Sequence, residues 1–364
     1  MNIRFFASRT ITLYMGRMFL TRFAAVLAAL VIILLALDLL GESGNILAHP
    51  GNGEAEIWRY LSLRAPQIVA RFLPFSALLA TLITLATLNQ HSEIIAMKAA
   101  GVSAHQILAP LVIVSVGVAC LSFWFNDHVV ARSTAILNAW QAADYGPINR
   151  DLGIKSNVWV RDGDDLIHAE SVTGQGEHTL LRGITIYDRT GGELARIIRG
   201  ASAMRAPDGW VIRNANQFDV AAGREQAVPR FVIGAAVTPD RFTLSTVNPD
   251  ELSFGALLNA IHALRAAGRP TESLESGLWH KLAGPMSAVL MPLLAGVAAF
   301  GTARSGQLFI RAVIGMVLGF LYFVADNFAL AMGNIGAYPP LLAAWAPFAL
   351  FLLIGETVLI RTEE

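Results

Sequence analysis

Four ionisable side chains lie within long apolar stretches of the sequence. Arg71 and Lys281 are cationic, whereas Asp38 and Asp326 are anionic. Charged groups are rare in membrane-spanning segments and mark binding or transport sites there by default. Basic groups bind phosphates, and apolar walls beneath them accept acyl chains. The pattern predicts a site for a phosphorylated amphiphile, with Asp326 positioning one of the cations. The alternatives are an internal salt bridge, or snorkelling of Lys281 to the interface.

Signatures of catalysis are missing from the sequence. It contains no HExxH, no GxSxG and no GxxxxGK[ST], and its eight histidines are scattered. Those motifs carry metalloprotease, hydrolase and nucleotide-binding chemistry respectively. The single cysteine, Cys120, excludes a disulfide framework within the chain. We therefore expect no enzyme, no cofactor and no metal site.

The composition indicates a membrane protein. Of the 364 residues, 54% are hydrophobic and 15% are charged, and the net charge is zero. An average globular chain has about 25% charged residues. A neutral chain has no overall field to attract nucleic acid, so we expect no nucleic-acid partner. Thirty-three of the 54 charged residues fall between Asp127 and Glu275, which predicts one polar domain between two apolar thirds.

Six apolar runs are long enough to span a bilayer, which takes about 20 residues. Three precede the polar domain and three follow it. We therefore expect a transmembrane half at 1–126, a polar domain at 127–276 and a second transmembrane half at 277–364. The predicted spans are about 18–40, 65–88, 107–125, 278–300, 308–332 and 341–360.

The Lys and Arg residues of the short loops predict the orientation. Positive residues concentrate on the cytoplasmic side of a membrane. This rule places both termini in the cytoplasm, and residues 127–276 in the periplasm outside a bacterial inner membrane. Eight positive residues lie on the cytoplasmic side (Arg4, Arg9, Arg17, Arg22, Lys98, Arg304, Arg311 and Arg361), against Arg59 and Arg64 on the other.

The polar domain contains a region that reads as β-sheet. Short alternating runs between about 150 and 247 are broken by hairpin signals at 162–163, 191–192 and 208–209. They predict a sandwich or jelly roll. Helices are expected at 127–145 and at 250–267. Candidate residues for an apolar path through the sheet, with an ordinary core as the alternative, are Trp159, Ile184, Ile186, Trp210, Ile212, Phe218 and Phe231.

The loop between the second and third spans reads as a short helix at about 90–101. Ser92 can cap its start and Glu93 suits its N-terminal dipole. Gly101 supplies an end. The apolar surface would come from Ile94, Ile95 and Met97, which favours a docking element over a plain turn.

Three segments carry a resemblance to a known family. SEIIAMKAAG (92–101) is similar to the coupling helix of the LptF/LptG permeases, which extract lipopolysaccharide from the inner membrane. LWHKLAGPMSAVLMPLLA (278–295) is a second match. The third is the glycine-rich span after RSG (304–306), with its YPP loop. The resemblance covers nearly the whole chain and is stronger to the LptG branch.

The resemblance implies a fold, a function and partners. The fold would be six transmembrane helices, three plus three, with a periplasmic jelly-roll domain. The chain would pair with a homologous LptF-type permease and be driven by two copies of the cytoplasmic ATPase LptB. LptC and LptA would receive the lipopolysaccharide. ATPase coupling would fall on Ser92, Glu93, Ile94, Ile95, Met97 and Gly101, with Glu93 matching the acidic residue of the motif.

One stretch departs from the family pattern. Members of the LptG type have lysines near the outer end of the first span, where this chain has ALDLLGESGN with Asp38 and Glu42. Either Arg59, Arg64 and Arg71 replace those lysines, or the lipid head carries fewer phosphates.

Three other functions compete with this interpretation. A MacB-like mechanotransmission permease would have four spans, with its periplasmic domain after the first. A lipid-modifying membrane enzyme would need a convergent acid–base or metal cluster. A scaffold without a transport role would tolerate loss of Glu93.

Overall fold

The computed structural model describes residues 8–147, 155–173, 179–190, 193–206, 209–233, 248–266, 270–300 and 308–363. These residues form two compact units. The helical unit ends its first segment at Tyr145 and resumes at Asn248, and the sheet unit lies between Gly146 and Val247. The sequence-based division at 126 and 276 groups the flanking helices with the sheet, whereas the structure packs them in the helical unit.

The helical unit contains nine α-helices among its described residues. A π-helical turn at Asn126–Val130 joins α4 to α5, as expected for a helix that continues from the third span. The helices are α1 (Arg9–Ala48), α2 (Glu54–Gln90), α3 (Glu93–Ala99), α4 (Ala104–Phe125), α5 (Ala131–Ala142), α6 (Phe254–Ala266), α7 (Glu272–Phe300), α8 (Leu308–Asn334) and α9 (Pro340–Glu363).

Six helices among the described residues are long and apolar enough to span a membrane. They confirm the six predicted spans and the order of three, sheet and three. The helices are longer than the apolar runs: α1 has 40 residues and α2 has 37. Proline lies inside α2, α4, α7 and α9, which bilayer helices tolerate because neighbouring groups satisfy the freed carbonyls.

Helices α2 and α7 form the centre of the helical unit, and their inward faces are almost fully buried. Leu78 and Leu85 of α2 and Leu294 of α7 are at most 1% exposed. In α1, by contrast, only 6% of the most apolar 18-residue stretch is buried. The long apolar face of α1 is therefore available to lipid or to another chain.

Pairs of residues identify the two ends of this bundle. Tyr14 of α1 contacts α3, and Lys98 of α3 lies over Phe300 at the end of α7. We call this the α3 end. At the opposite end, Gly333 of α8 faces Ser276 of α7, where an added Cβ would lie 2.7 Å from the Ser276 hydroxyl oxygen.

The sheet unit has six described strands in sequential antiparallel order. The β1–β2 hairpin turns at Gly163, which has a φ of +61°. Strand pairing also confirms the β3–β4 and β4–β5 hairpins, although loop residues 191–192 and 207–208 lie outside the described residues. The strands are β1 (Lys155–Asp162), β2 (Asp165–Thr173), β3 (Leu180–Thr190), β4 (Glu193–Ala206), β5 (Gly209–Asp219) and β6 (Arg224–Ile233).

The second predicted flanking helix starts later than its sequence suggests. Asp250 lies in a separate 3₁₀ turn (Pro249–Glu251) that Asn248 caps. Helix α6 begins at Phe254, whose backbone N–H donates to the Asp127 carboxylate at 2.5 Å. A residue distant in sequence thus provides a partner for a free N–H at the start of α6, which local sequence could not indicate.

Candidate functional site

Helix α3 lies against the end of the bundle. Ile94 is 7% exposed and belongs to the apolar core. A cavity of about 30 Å³ lies beside it. Helices from both transmembrane halves meet at this residue, so a displacement of α3 would be felt by both. The cavity is lined by Ile94 with Leu82, Leu85, Ala86 and Asn89 of α2, Ala299 of α7 and Ala312 of α8.

The opposite face of α3 is open. Ile95 is 60% exposed. Ala96, Ala99 and Ala100 are exposed beside it. Small side chains around one large apolar side chain let a second protein approach the helix closely. Ile94 and Ile95, adjacent in sequence, therefore have different environments, and Met97 packs partly against the core.

The predicted boundaries of α3 are half right. Gly101 ends the segment as expected, with a φ of +82°, and its N–H donates to the Lys98 carbonyl at 2.9 Å. The expected Ser92 cap is wrong. Ser92 has a φ of 57° and its side chain makes no capping hydrogen bond, because the tight turn after α2 places it in the left-handed region.

Glu93 is tied to α1. The Tyr14 hydroxyl donates to Glu93 Oε1 at 3.3 Å. On the same short helix, the Lys98 ammonium lies 5.0 Å from the centre of the Phe300 ring, a cation–π contact with α7. Helix α3 thus has polar links to two spans in addition to the apolar contact of Ile94.

A pairing at the α3 end escaped the sequence analysis. His105, at the start of α4, lies 3.1 Å from Glu356 near the end of α9, measured from Nε2 to Oε2. The pair joins the third and sixth spans. The two residues are 251 positions apart in the sequence, and no local pattern indicates their contact.

The four residues predicted to bind lipid fall into two groups among the described residues: the two acids are paired, and the two cations are not. Asp38 of α1 is fully engaged: Arg64 Nη2 and Nε donate to its two oxygens at 2.8 Å and 3.0 Å, and the Tyr60 hydroxyl donates at 2.6 Å. Arg64 also donates to Gln67. This is the internal salt bridge that sequence reasoning held as an alternative, but on Arg64 rather than Arg71.

Asp326 of α8 pairs with a residue that the sequence analysis did not single out. His280 Nε2 of α7 lies 3.0 Å from Asp326 Oδ2. The expectation that Asp326 positions Arg71 or Lys281 is therefore not met in the described contacts. The sequence offered one signal for this pair. His280 precedes Lys281, and adjacent positions on a helix face different neighbours, so the histidine could reach a helix that the lysine does not.

Arg71 and Lys281 are the cations left without an ion pair among these four, in the part of the chain that the structure describes. Arg71 lies near the middle of α2 and is exposed on the bundle surface, and Lys281 is half-buried on α7. Arg71 can therefore bind an external anion without first breaking a contact, whereas Lys281 also interacts with the carboxylates of Asp250 and Asp127. These two are the residues of the predicted set that could meet a phosphate.

Arg59, a proposed replacement for the missing lysines, is also occupied. Its guanidinium lies 4.5 Å from the centre of the Trp140 ring of α5. Trp140 packs edge-to-face on Tyr145, whose hydroxyl donates to Glu42 at 2.8 Å. Burial and the Glu42 carboxylate raise the pKa of Tyr145 above its ordinary value of 10.0. Of the three candidate replacements, Arg71 alone remains exposed.

The sheet unit has a closed core on one face. Ile184, Ile186, Trp210 and Ile212 are at most 3% exposed and pack in one apolar cluster, as in an ordinary sheet core. Trp159 was expected beside them but lies on the other face, 47% exposed, because it alternates with the buried Val158 and Val160. Phe218 is 39% exposed, and Phe231 packs against the edge of the cluster.

Metal ligation finds no support in the described residues, where no three His, Cys, Asp or Glu side chains lie together in a suitable group. The geometry instead combines a short helix with one buried and one exposed face, ion pairs between spans, and two exposed or half-buried cations. Such an arrangement can hold an amphiphile and transmit movement.

Comparison with known proteins agrees with this arrangement. The family model described as lipopolysaccharide export system permease LptF/LptG matches residues 13–361. The lipopolysaccharide export system permease protein LptG of Escherichia coli K12 is 28% identical over 309 residues, covering 83% of this chain and 84% of that protein. The protein of the same name from Haemophilus influenzae is 26% identical over 337 residues, covering 86% of this chain and 89% of that protein.

Proposed function

The chain belongs to the LptF/LptG family of lipopolysaccharide export permeases, and we propose that a separate ATPase, docked on the exposed face of α3, drives its export of lipopolysaccharide. The chain is a multi-pass protein of the inner membrane and the permease component of an ABC transporter. The observation that carries the proposal is the opposite exposure of Ile94 and Ile95. One side of a two-turn helix is fixed in the bundle while the other presents an apolar contact.

The ATPase would be of the LptB type, in two copies, and would be cytoplasmic. That requires the α3 end, and with it both termini, to lie in the cytoplasm, and the sheet unit to lie in the periplasm. The excess of Lys and Arg in the loops of the α3 end supports this orientation. The second α3-type helix for the second ATPase copy would come from a homologous LptF-type permease.

Movement of α3 would reach the spans by three routes. Ile94 packs against α2, α7 and α8. Glu93 is hydrogen-bonded to Tyr14 of α1, and Lys98 contacts Phe300 of α7. Because packed interfaces shift between discrete arrangements rather than deform continuously, closure of the ATPase would be transmitted as a helix movement. Helix α1 is the least buried of the six spans, so its lipid-facing side has little packing to oppose that movement.

Lipopolysaccharide would bind with its phosphates on Arg71 and Lys281. Asp38 and Asp326 would stay in their pairs with Arg64 and His280 and position the helices around the lipid. Expelled lipid would pass to the sheet unit and on to LptC and LptA. A MacB-like permease is not favoured, since it would have four spans and the described residues contain six.

The proposal is tested by copurification and reconstitution of the full chain. A tagged chain is expected to bring down an LptB-type ATPase and a second six-span chain, and the purified complex to release lipopolysaccharide from proteoliposomes when ATP is added. Absence of the ATPase from the copurified proteins, or ATP hydrolysis without release of lipopolysaccharide, would contradict the proposal.

Orientation is tested with single cysteines in a Cys120→Ser background. We expect Ala99→Cys to react with an impermeant maleimide only after the inner membrane is opened. Asp164→Cys, in the β1–β2 turn, should react in cells whose outer membrane alone is permeabilised. Reaction of both from the same side would overturn the proposed topology.

A further inference from the structure

The outer face of the sheet unit, opposite its core, carries a row of hydrogen-bond donors that runs from β2 to β6. Successive members of the row are direct partners in the strand pairing. Ser202 lies opposite Arg213, because their neighbours Ala203 and Ile212 are partners in the same register. Directly opposite residues in an antiparallel pair lie about 5 Å apart, so the row is continuous. We call it the arginine row, and its members are Ser171, Arg182, Ser202, Arg213 and Arg230.

The arginine row lacks compensating negative charge. Arg213 and Arg230 are direct partners, and like charges in that position destabilise a sheet. All three arginines are exposed, and none of them forms an ion pair among the described residues. Glu170 of β2 lies beside the row, over Gly183, and its single carboxylate leaves the positive charges in excess. Binding of an anion would relieve this repulsion.

A second row, which is apolar, borders the first on the same face. Its members pair in sequence across β3 to β6. Each lies two positions along its strand from a member of the arginine row, so the two rows are about 7 Å apart. Met204 is 58% exposed and Val232 is 39% exposed. We call this the apolar row, and it consists of Leu180, Met204, Val211 and Val232.

We propose that the arginine row and the apolar row together bind a phosphorylated lipid, with its phosphates on the arginines and its hydrocarbon against the apolar row. The planar guanidinium group binds phosphate through two parallel hydrogen bonds, and serine hydroxyls can donate to the remaining oxygens. The core face of the sheet is closed, since Ile184 and Ile212 are at most 1% exposed. The exported lipid would therefore meet the sheet on its outer face.

The combination of the two rows selects the occupant. Free phosphate would leave the apolar row exposed to water, and a fatty acid would bring only one charge to three arginines. A phospholipid with a single phosphate has the same shortage of charge. A lipid whose head carries several phosphates satisfies both rows at once. The inference rests on the proposed function for the identity of this lipid, which is lipopolysaccharide.

The test is photocrosslinking of the full chain in a non-ionic detergent, titrated with lipopolysaccharide. The photoreactive residue p-benzoylphenylalanine replaces Met204 in one protein and Phe218 in another. Phe218 is the matched position, because it is 39% exposed on the same face but lies opposite Glu225. We expect saturable crosslinking from position 204 and about fivefold less from position 218, where a carboxylate repels phosphate. Lipopolysaccharide stripped of its phosphates should crosslink at position 204 as weakly as at position 218.

Two substitutions test the arginines directly. Arg182→Gln and Arg213→Gln, each combined with the probe at position 204, should weaken the apparent affinity by about fivefold, or about 1 kcal/mol, the upper range for an exposed ion pair. Arg224→Gln makes the same change on β6 outside the row and should bind as the parent protein does. Arg213→Gln removes the like charge opposite Arg230, so it should not lower the melting temperature. Thermal unfolding in the same detergent separates a loss of binding from a loss of fold.

Equal crosslinking from the two probe positions, or unchanged affinity in both arginine variants, would overturn the inference. Displacement of lipopolysaccharide by equimolar inorganic phosphate, laurate or phosphatidylglycerol would overturn it too, in favour of a free-anion site, an apolar site or a surface for bilayer phospholipids respectively. Normal export by the reconstituted complex without crosslinking at position 204 would contradict this inference alone. Arginine-dependent crosslinking in a chain whose complex does not export would contradict the proposed function alone.

Discussion

Arg64 of α2 holds Asp38 of α1 with two hydrogen bonds, from Nη2 at 2.8 Å and from Nε at 3.0 Å. The side chains are 30% and 22% exposed, so water screens the pair only in part. Tyr60 adds a third hydrogen bond to Asp38. Arg64, one of the three candidate replacements for the missing lysines, thus joins two spans, and it is not available to a phosphate without breaking this contact.

Asp38→Leu is expected to lower the free energy of unfolding by about 2 kcal/mol, because it leaves Arg64 charged and unpaired in a half-buried place. The double change Asp38→Leu and Arg64→Leu should recover most of that loss, since two apolar residues need no partner. Chemical unfolding in mixed micelles measures both. Additive losses in the double variant would show that the pair does not act as a unit.

Arg71→Gln should weaken lipopolysaccharide binding without lowering stability. Arg71 is exposed and makes no ion pair among the described residues, so its removal breaks no internal contact. Loss of one charge-assisted contact to phosphate corresponds to about 1.5–3 kcal/mol, a factor of about 10 to 150 in affinity. Photocrosslinking of lipopolysaccharide near α2 provides the measurement. Arg132→Gln, on α5, is the matched control, and equal crosslinking in both variants would remove Arg71 from the lipid site.

Much of this architecture could be predicted because it follows from local patterns. The six spans appear as apolar runs, and the β1–β2 hairpin is indicated by the Asp-Gly dipeptide at 162–163. Gly101 ended α3 as its conformational freedom suggests. Each of these signals lies within a few residues of the structure that it determines.

The pairings between helices could not be predicted in the same way. Asp326 meets His280 rather than Arg71 or Lys281 because the rotation of α7 about its axis turns position 280, not 281, toward α8. Ile94 and Ile95 have the same chemistry, and only the packing of α3 on three helices separates them. Such relationships depend on the angular position of each helix, which a uniformly apolar sequence does not encode by its periodicity.

Ile94 and Ile95 should therefore respond differently to the same substitution. Ile95→Ala is expected to change the free energy of unfolding by no more than about 0.5 kcal/mol, because the side chain is exposed. The same variant is expected to lose the ATPase from the purified complex. Ile94→Ala should lower the free energy of unfolding by about 2–4 kcal/mol, because it enlarges an existing cavity. Its complex should retain the ATPase but release less lipopolysaccharide per ATP hydrolysed. Retention of the ATPase by Ile95→Ala would contradict docking on this face.

Gly319 determines how closely α8 can pack on α2. A Cβ at this position would overlap the Leu78 side chain, whereas a Cβ at Gly117 of α4 meets no atom within 4 Å. Gly319→Ala is therefore expected to force the two helices apart and to lower the free energy of unfolding by about 1–3 kcal/mol, the usual effect of overpacking. Gly117→Ala should raise stability by up to about 1 kcal/mol, since alanine favours the helix. Thermal unfolding of both variants in the same detergent gives the comparison.

Because α8 also lines the cavity beside Ile94, Gly319→Ala should reduce the lipopolysaccharide exported per ATP as well. Normal export from a destabilised variant would show that the contact of α8 with α2 does not carry the movement of α3.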